Sequence, residues 1–219
     1  MTALVSDEQW VILVHDHPEL AALPLALRRH ASDIVAATGE TVFRLGARPR
    51  RMLWVVDGEV RLVRRSRGGA EIVLQRARSG FVAEASLESS RYHCDAVAVT
   101  DSRLLGLPIE PFRETLLGDE KFRTFWMTRL AREVRLLRAQ CERLSLRGAA
   151  DRIEHYIEAE GVKGRLELRQ TKRAWAAELG LTHEALYRTL ASLQRSGRIS
   201  AVENKGILVV TLNPVRAIK

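Results

Sequence analysis

The sequence is poor in the residues and runs that define several large classes of protein. Only two cysteines occur among 219 residues, which excludes a disulfide framework and suits a reducing, cytoplasmic setting. No run of about 18 uncharged apolar residues exists, so we expect neither a membrane span nor a membrane partner. The first ten residues lack a basic segment and carry Asp7 and Glu8, which does not predict a signal peptide.

Catalytic signatures are missing as well. The sequence has no Gly-x-Ser-x-Gly elbow, no phosphate-binding loop and no His-Glu-x-x-His. A metal oxygenase built on a β-barrel needs several inward histidines and a carboxylate, but only His93 falls within the β-rich region. We therefore expect that the chain is not an enzyme.

Positive charge is in excess, and it is unevenly distributed. Residues 1–120 hold 15 Lys and Arg against 17 Asp and Glu, whereas residues 121–164 hold 10 against 6 and residues 165–219 hold 10 against 4. A basic surface attracts the phosphates of nucleic acid through counterion release. A merely solvated basic face is the alternative that charge alone leaves open.

Three sequence patterns follow one another along the chain. Residues 4–30 have the spacing of short helices with turns at Pro18 and Pro24. Residues 34–107 contain short runs rich in Val, Ile and Leu, separated by glycines and including a hairpin candidate at Gly68-Gly69. Such runs predict an antiparallel sandwich or barrel. The predicted strands are 41–45, 52–56, 59–63, 71–75 and 95–100.

A helical period begins after Pro108 and Pro111 and continues for about 35 residues. Apolar residues recur there at alternating intervals of three and four, which is the pattern of a coiled-coil seam flanked by arginines. A seam so narrow favours pairing with an identical helix, and packing on the chain's own core is the alternative. The seam consists of Met127, Leu130, Val134, Leu137, Cys141 and Leu144.

Two short helices joined by a tight turn are predicted near the C-terminus. Residues 171–180 begin at Thr171, a good N-cap, and stop at Gly180, while residues 181–197 begin at Thr182 and stop at Gly197. A helix at 150–161 and a short strand at 166–170 precede them, and an alternating hairpin with a turn at 204–206 follows. This is the pattern of a winged helix-turn-helix, and an ordinary pair of helices is the alternative.

The second of these helices would read DNA. Its Leu186, Leu190 and Leu193 face the core, which leaves four residues on the outer face of the first turns. Arg188 can contact guanine in two places, and Glu184 can accept from cytosine or orient Arg188. Four further residues suit phosphates. The predicted DNA-binding set is Thr182, His183, Glu184, Tyr187, Arg188, Lys172, Arg195 and Lys205.

Together these patterns resemble the CRP/FNR superfamily of bacterial transcription regulators, from about Val35 to Leu212. The resemblance implies an α+β fold with a jelly-roll-like antiparallel β-barrel, a long dimerisation helix and a C-terminal winged helix-turn-helix. The implied domains are a sensor with an N-terminal helix at 1–110, the dimerisation helix at 111–147 and the DNA-binding domain at 148–219. It also implies a homodimer on palindromic double-stranded DNA, with RNA polymerase as a further candidate partner.

The effector pocket departs from the family pattern. Cyclic-nucleotide binders resemble one another in a Gly-Glu-Leu cassette followed by Arg-Ser, where this chain keeps Glu84 but has Ala83 for the glycine and Cys94-Asp95 for Arg-Ser. A cyclic phosphate would lack its counter-charge, so we expect no cAMP binding. Two cysteines also exclude an iron–sulfur cluster, which needs about four.

The resemblance implies that Cys94 lies in the barrel pocket and that Cys141 lies on the dimer helix where effectors touch it. With His93, these thiols could hold a soft metal such as Cu(I), or Zn(II), and Glu84, Met52 and Met127 are more distant candidates. The predicted effector-binding set is Glu84, His93, Cys94, Asp95 and Cys141. A thiol-redox sensor, a haem sensor and two inert buried cysteines are the alternatives. A ligand-binding module that never touches DNA is the competing function.

Overall fold

The computed structural model describes residues 4–69, 71–168, 170–204 and 207–214. Contacts between residues divide the chain into two compact units, Met1–Thr128 and Arg129–Lys219. The division falls inside a helix rather than in a loop. No helix of the described residues is long and apolar enough to cross a membrane.

The first unit contains four helices and eight strands among its described residues, together with two 3-10 turns at Pro18–Ala22 and Glu84–Ser86. Its helices are α1 (Asp7–Asp16), α2 (Leu25–Arg28), α3 (Ile109–Gly118) and the beginning of α4 (Glu120–Ser145). Its strands are β1 (Ser32–Ala36), β2 (Thr41–Phe43), β3 (Arg51–Asp57), β4 (Val60–Arg65), β5 (Glu71–Ala77), β6 (Gly80–Val82), β7 (Asp95–Ala98) and β8 (Ser102–Pro108).

These strands form two four-stranded antiparallel sheets, with the orders β1-β8-β3-β6 and β2-β7-β4-β5. One apolar cluster takes side chains from both sheets, among them Val55 and Leu104 from the first and Leu62 and Ala96 from the second. The core therefore lies between the two sheets, as alternating inward residues require. The jelly-roll-like fold predicted from the sequence is confirmed, in the form of two facing sheets.

Aromatic residues are only 5% of the chain, yet five of them form one cluster in this unit. Neighbouring rings pack edge to face with centroids 4.8 to 5.8 Å apart, the geometry that the ring quadrupole favours. The cluster joins β3 and β6 to α3 and the first two turns of α4. Its members are Trp54, Phe81, Phe112, Phe122 and Trp126.

A buried carboxylate stabilises one edge of the second sheet. Glu59 is 8% exposed and accepts from Arg76 at 2.8 Å and from Arg78 at 2.9 Å. Burial alone would raise the pKa of Glu59, but the hydrogen bonds and charges of the two arginines outweigh it and lower the pKa. The carboxylate is therefore held ionised within the fold.

The second unit contains the rest of α4, then α5 (Ala149–Glu160), α6 (Lys172–Glu178) and α7 (His183–Arg195). Its antiparallel sheet has the order β10-β11-β9, from β9 (Arg165–Leu168), β10 (Ile199–Asn204) and β11 (Ile207–Leu212). Trp175 is fully buried at the centre of its core, among leucines of α7 and isoleucines of α5. The predicted helices and the β-wing are therefore present.

One expectation about the helices needs correction. The helical pattern predicted from 111 to 147 is interrupted at Asp119, which ends α3 and begins α4. The Asp119 carboxylate accepts from the backbone N–H of Phe122 at 2.9 Å, so it satisfies one of the free donors at the start of α4. The long helix therefore begins nine residues later than the pattern suggested.

Candidate nucleic-acid interface

Side-chain caps and glycines define both helices of the helix-turn-helix. The hydroxyls of Thr171 and Thr182 accept from the backbone N–H groups of Ala174 and Ala185, at 3.2 and 3.1 Å. Gly180 ends α6 with a φ of 63°, a left-handed conformation that glycine adopts without strain. The four residues between the helices therefore form a tight turn that fixes the start of α7.

The first turns of α7 present an exposed polar face opposite its buried leucines. Leu186, Leu190 and Leu193 are at most 7% exposed. The predicted base-reading residues all lie on the opposite side and are exposed, including Tyr187 at 45%. This arrangement leaves the face open to a partner. Its members are His183, Glu184, Tyr187 and Arg188.

Contacts within this face hold the side chains in one layer. The rings of His183 and Tyr187 lie 4.5 Å apart, and Lys172 Nζ lies 5.4 Å from the centre of the Tyr187 ring. Arg188 lies 4.0 Å from Glu184, one turn earlier on the same helix, and both side chains are more than 70% exposed. A pair so exposed stabilises the free protein little, so Arg188 can exchange Glu184 for another acceptor at small cost.

Of the predicted phosphate contacts, Thr182 is the N-cap of α7, Lys172 is the first residue of α6 and Arg195 is the last residue of α7. Lys172 lies 3.6 Å from Glu203 on β10, an acidic neighbour that sequence reasoning did not single out. Arg195 is exposed in the last turn of α7. The predicted contact Lys205 lies outside the described residues. Lys172 of α6 thus lies between the exposed face of α7, through Tyr187, and Glu203 of β10.

The predicted seam of α4 is largely open in the single chain. Met127, Val134, Leu137 and Leu144 are 45 to 62% exposed, and Cys141 is also exposed. Leu130 is half-buried. Large apolar side chains repeated at heptad spacing are unfavourable in water, so this stripe has the character of a surface that another helix covers.

The predicted effector residues fall into two groups. In the first unit, His93 is exposed with its Nδ1 3.2 Å from the hydroxyl of Ser86, and Glu84 begins the adjacent 3-10 turn. The Asp95 carboxylate accepts from the backbone N–H of Leu45 at 2.7 Å. Cys141 belongs to the second unit. Within the first unit, the structure thus brings His93 and the segment around Ser86 together.

The two cysteines differ in environment. Cys94 is 1% exposed within the apolar core between the sheets, where burial, and secondly the charge of Asp95, raise the pKa of its thiol against the opposing effect of Arg64. A thiol with a raised pKa is a poor nucleophile and a poor metal ligand. Within the described ranges, no three His, Cys, Asp or Glu side chains are grouped so that they could hold a metal ion.

Sequence reasoning missed a set of polar residues beneath the helix-turn-helix. Arg143, one of the arginines that flank the predicted seam of α4, is only 3% exposed. Tyr156 is largely buried, and chiefly through this burial, then through the charges of Glu178 and Glu160, its pKa is raised. Burial likewise raises the pKa of Glu160. Spacing alone does not reveal such a network, because its members come from three helices.

Comparison with known proteins agrees with this description. Residues 34–119 match the model of the cyclic nucleotide-binding domain. The fold resembles FixK2 of Bradyrhizobium japonicum, with a TM-score of 0.61 and 21% identity over 84% of this chain and 92% of that one. It also resembles a CRP-family transcriptional regulator of Thermus thermophilus, with a TM-score of 0.53 and 24% identity over 82% and 91%.

A third similar structure is the c-di-GMP-responsive global regulator CLP of Xanthomonas campestris, with a TM-score of 0.54 and 23% identity over 92% of this chain and 100% of that one. No curated protein sequence matches. Residues 34–119 therefore resemble a cyclic nucleotide-binding domain, and the chain has the fold of CRP/FNR-type transcription regulators, so the resemblance seen in the sequence is confirmed.

Proposed function

We propose that the chain is a homodimeric transcription regulator that binds palindromic DNA through α7. The exposed face of His183, Glu184, Tyr187 and Arg188 carries this proposal, since it lies on a capped helix whose other side is fully buried. The leading end of such a helix enters the major groove in helix-turn-helix proteins. The excess of basic residues after position 120 supplies attraction to phosphates.

Dimerisation is proposed through the exposed seam of α4. Two copies pairing in parallel would cover Val134, Leu137 and Leu144 and would place both recognition helices on one side of the dimer. Half-sites one helical turn apart, about 34 Å, match such a pair. RNA polymerase is a further proposed partner, and the cytoplasm is the proposed site of action.

The proposed effector of the sensor is not a cyclic nucleotide. At the position of the family's phosphate-binding arginine, Cys94 packs into the core and Asp95 accepts a backbone hydrogen bond, so neither residue offers positive charge. The raised pKa of Cys94 also gives soft-metal, thiol-redox and haem chemistry little support at that residue. Isothermal titration with cAMP and with Cu(I) tests these alternatives, and stoichiometric binding of cAMP would contradict the proposal.

The DNA-binding proposal is tested by selecting preferred sequences from a random duplex library and measuring affinities by fluorescence anisotropy. Arg188→Ala should cost about 1–3 kcal/mol and relax the preference at one base pair of each half-site. Arg165→Ala, which removes an exposed arginine from β9, is the charge-matched control. If the wild-type protein selects no sequence, the chain is a ligand-binding module rather than a DNA reader.

The dimer is tested separately by light scattering. Leu137→Glu should give monomers, because it places a charge in the centre of the seam. Leu117→Glu makes the same change at the end of α3, where the side chain is 82% exposed and off the seam, and should leave the dimer intact. Dimers that persist in Leu137→Glu would place the interface elsewhere.

A further inference from the structure

Two arginines beneath the helix-turn-helix join the end of α4 to the turn that sets the recognition helix. From this juxtaposition we propose that Arg143 and Arg152 are positioning residues, which fix α7 relative to α4 and thereby determine the half-site spacing that the dimer accepts. The inference rests on the proposed dimeric DNA-binding function and adds a specificity determinant that touches no base.

Arg152 of α5 connects two segments that flank it in the sequence. Its Nε donates to the carbonyl of Leu146, in the connection between α4 and α5, at 2.8 Å. Its Nη1 donates to the carbonyls of Leu179 and Gly180, in the turn between α6 and α7, at 3.1 and 3.3 Å. Because the guanidinium is planar and rigid, these bonds hold the connection and the turn in one fixed geometry.

Arg143 makes a second link, from the last turns of α4. Its guanidinium carbon lies 4.4 Å from the centre of the Tyr156 ring, and its Nη2 lies 3.7 Å from Glu160. The Tyr156 hydroxyl donates to Glu178 at 3.0 Å, and Glu178 is the last residue of α6. The contacts therefore run from α4 through α5 to the beginning of the same turn.

Apolar packing supports these polar links. A methyl group on Gly180 would lie 3.2 Å from Arg152 Nη1 and 3.3 Å from Leu144 Cδ2, so the turn is closely approached by both α4 and α5. Glu142 of α4 lies 3.2 Å from His155 of α5. These contacts thus fix residues 146–148, a connection in which Gly148 would otherwise allow the backbone to bend.

A buried arginine is a costly way to join helices if stability alone is the requirement. Apolar residues of similar volume are often as stable, but a charged and directional contact admits one arrangement where apolar surfaces admit several. Within the described part of the chain, Nε and Nη1 of Arg143 have no hydrogen-bond partner, which adds to this cost. The arrangement accordingly favours geometry over stability. In a dimer paired through α4, that geometry sets the distance between the two copies of α7.

The test uses the palindrome selected by the wild-type protein and a series in which its centre is shortened or lengthened by one or two base pairs. The wild-type protein should lose at least about tenfold in affinity when the centre changes by two base pairs, because each recognition helix then leaves its half-site. In Arg143→Ala and Arg152→Ala this loss should fall to about threefold or less, while affinity for a single half-site stays within about twofold of wild type.

Arg147→Ala is the matched control, since it removes an exposed arginine from the same connection and should retain the wild-type spacing preference. Arg143→Lys and Arg152→Lys keep the charge but lack the planar fork, so they should also relax the preference, and they decide the question if the alanine variants melt below the assay temperature. Unchanged spacing preference in folded variants overturns this inference alone. Absence of sequence-selective binding by the wild-type protein overturns the proposed function, and this inference with it.

Discussion

Substitution of Gly180 and of Gly197 offers a matched comparison that tests how strongly the turn between α6 and α7 is coupled to Arg152 and Leu144. Each follows its helix with a positive φ, 63° at Gly180 and 72° at Gly197. Each also donates to the carbonyl three residues earlier, and the next residue donates to the carbonyl five residues earlier, at 2.8 to 3.1 Å. The two backbone motifs are alike. Their surroundings differ, because a methyl group on Gly197 would meet nothing within 4 Å.

Substitution by alanine should therefore have a common cost and a specific one. The left-handed conformation costs an alanine about 1–2 kcal/mol, and loss of freedom in the unfolded chain returns about 0.4–1 kcal/mol, so Gly197→Ala should destabilise by about 1 kcal/mol. Gly180→Ala should lose about a further 1 kcal/mol, because the methyl displaces Arg152 from its two carbonyls or crowds Leu144.

Hydrogen–deuterium exchange of the full chain is the appropriate assay, since it reports opening of the second unit separately from the first. Amides of α6 and α7 should exchange about fivefold faster in Gly180→Ala than in Gly197→Ala. Gly180→Ala should also relax the half-site spacing preference, which Gly197→Ala should keep. Equal exchange rates and equal spacing preferences would refute the coupling at this turn.

Three further outcomes are expected. Mild oxidation should give a covalent dimer on a non-reducing gel, because equivalent seam positions meet in a parallel pair. Cys141→Ser should abolish this cross-link and Cys94→Ser should not. Absence of a cross-link in the wild-type protein would contradict pairing through the seam. Glu59→Gln should lower the free energy of unfolding in urea by about 2 kcal/mol near neutral pH. The control Glu71→Gln, which removes an exposed ion pair, should lower it by under about 0.5 kcal/mol. Because its folded pKa is lowered, the Glu59 contribution is present above the unfolded pKa and is lost as the pH falls through the folded one, so an unchanged acid limb in Glu59→Gln would contradict this account. Ala83→Gly should change thermal stability little, since relief of the strained 75° φ offsets the loss of a buried methyl group. Ala83→Val should cost at least about 2 kcal/mol. A valine variant as stable as the wild type would refute backbone strain at this position.

Local signals explain why the second unit was predictable in detail. The caps Thr171 and Thr182, and the glycines that follow each helix, lie within a few residues of the boundaries that they define. Leucines at intervals of three and four then identify the buried side of α7. The contacts of its exposed face with DNA stay a prediction, because exposure does not by itself specify a ligand.

The fold class of the first unit was predictable from the sequence, but several of its elements were not. Five strands were indicated by apolar runs, but β1, β6 and β8 were not singled out. The aromatic cluster could not be foreseen, because Trp54 and Trp126 are distant in the sequence and meet only through the tertiary fold. The break at Asp119 has a local signal in Gly118-Asp119, which the longer helical period obscured.

The proposed positioning residues Arg143 and Arg152 could not be predicted from helical periodicity. Arg143 lies off the seam of α4, where arginines are usually solvated, yet it is buried and contacts Tyr156 of α5. Arg152 is half-buried, and its acceptors are backbone carbonyls. Backbone carbonyl acceptors cannot be identified from a sequence, since every residue has one.

The arginine-rich flank of α4 has a consequence for how this protein responds to ionic strength. The helix carries seven basic residues and three acidic ones, and a parallel pair of such helices brings like charges together. In the proposed dimer, added salt would screen that repulsion and strengthen the pairing, whereas it would weaken the proposed attachment to phosphates. At low protein concentration, occupancy of an operator should therefore pass through a maximum at an intermediate salt concentration. Each side of that maximum would report one of the two linked equilibria.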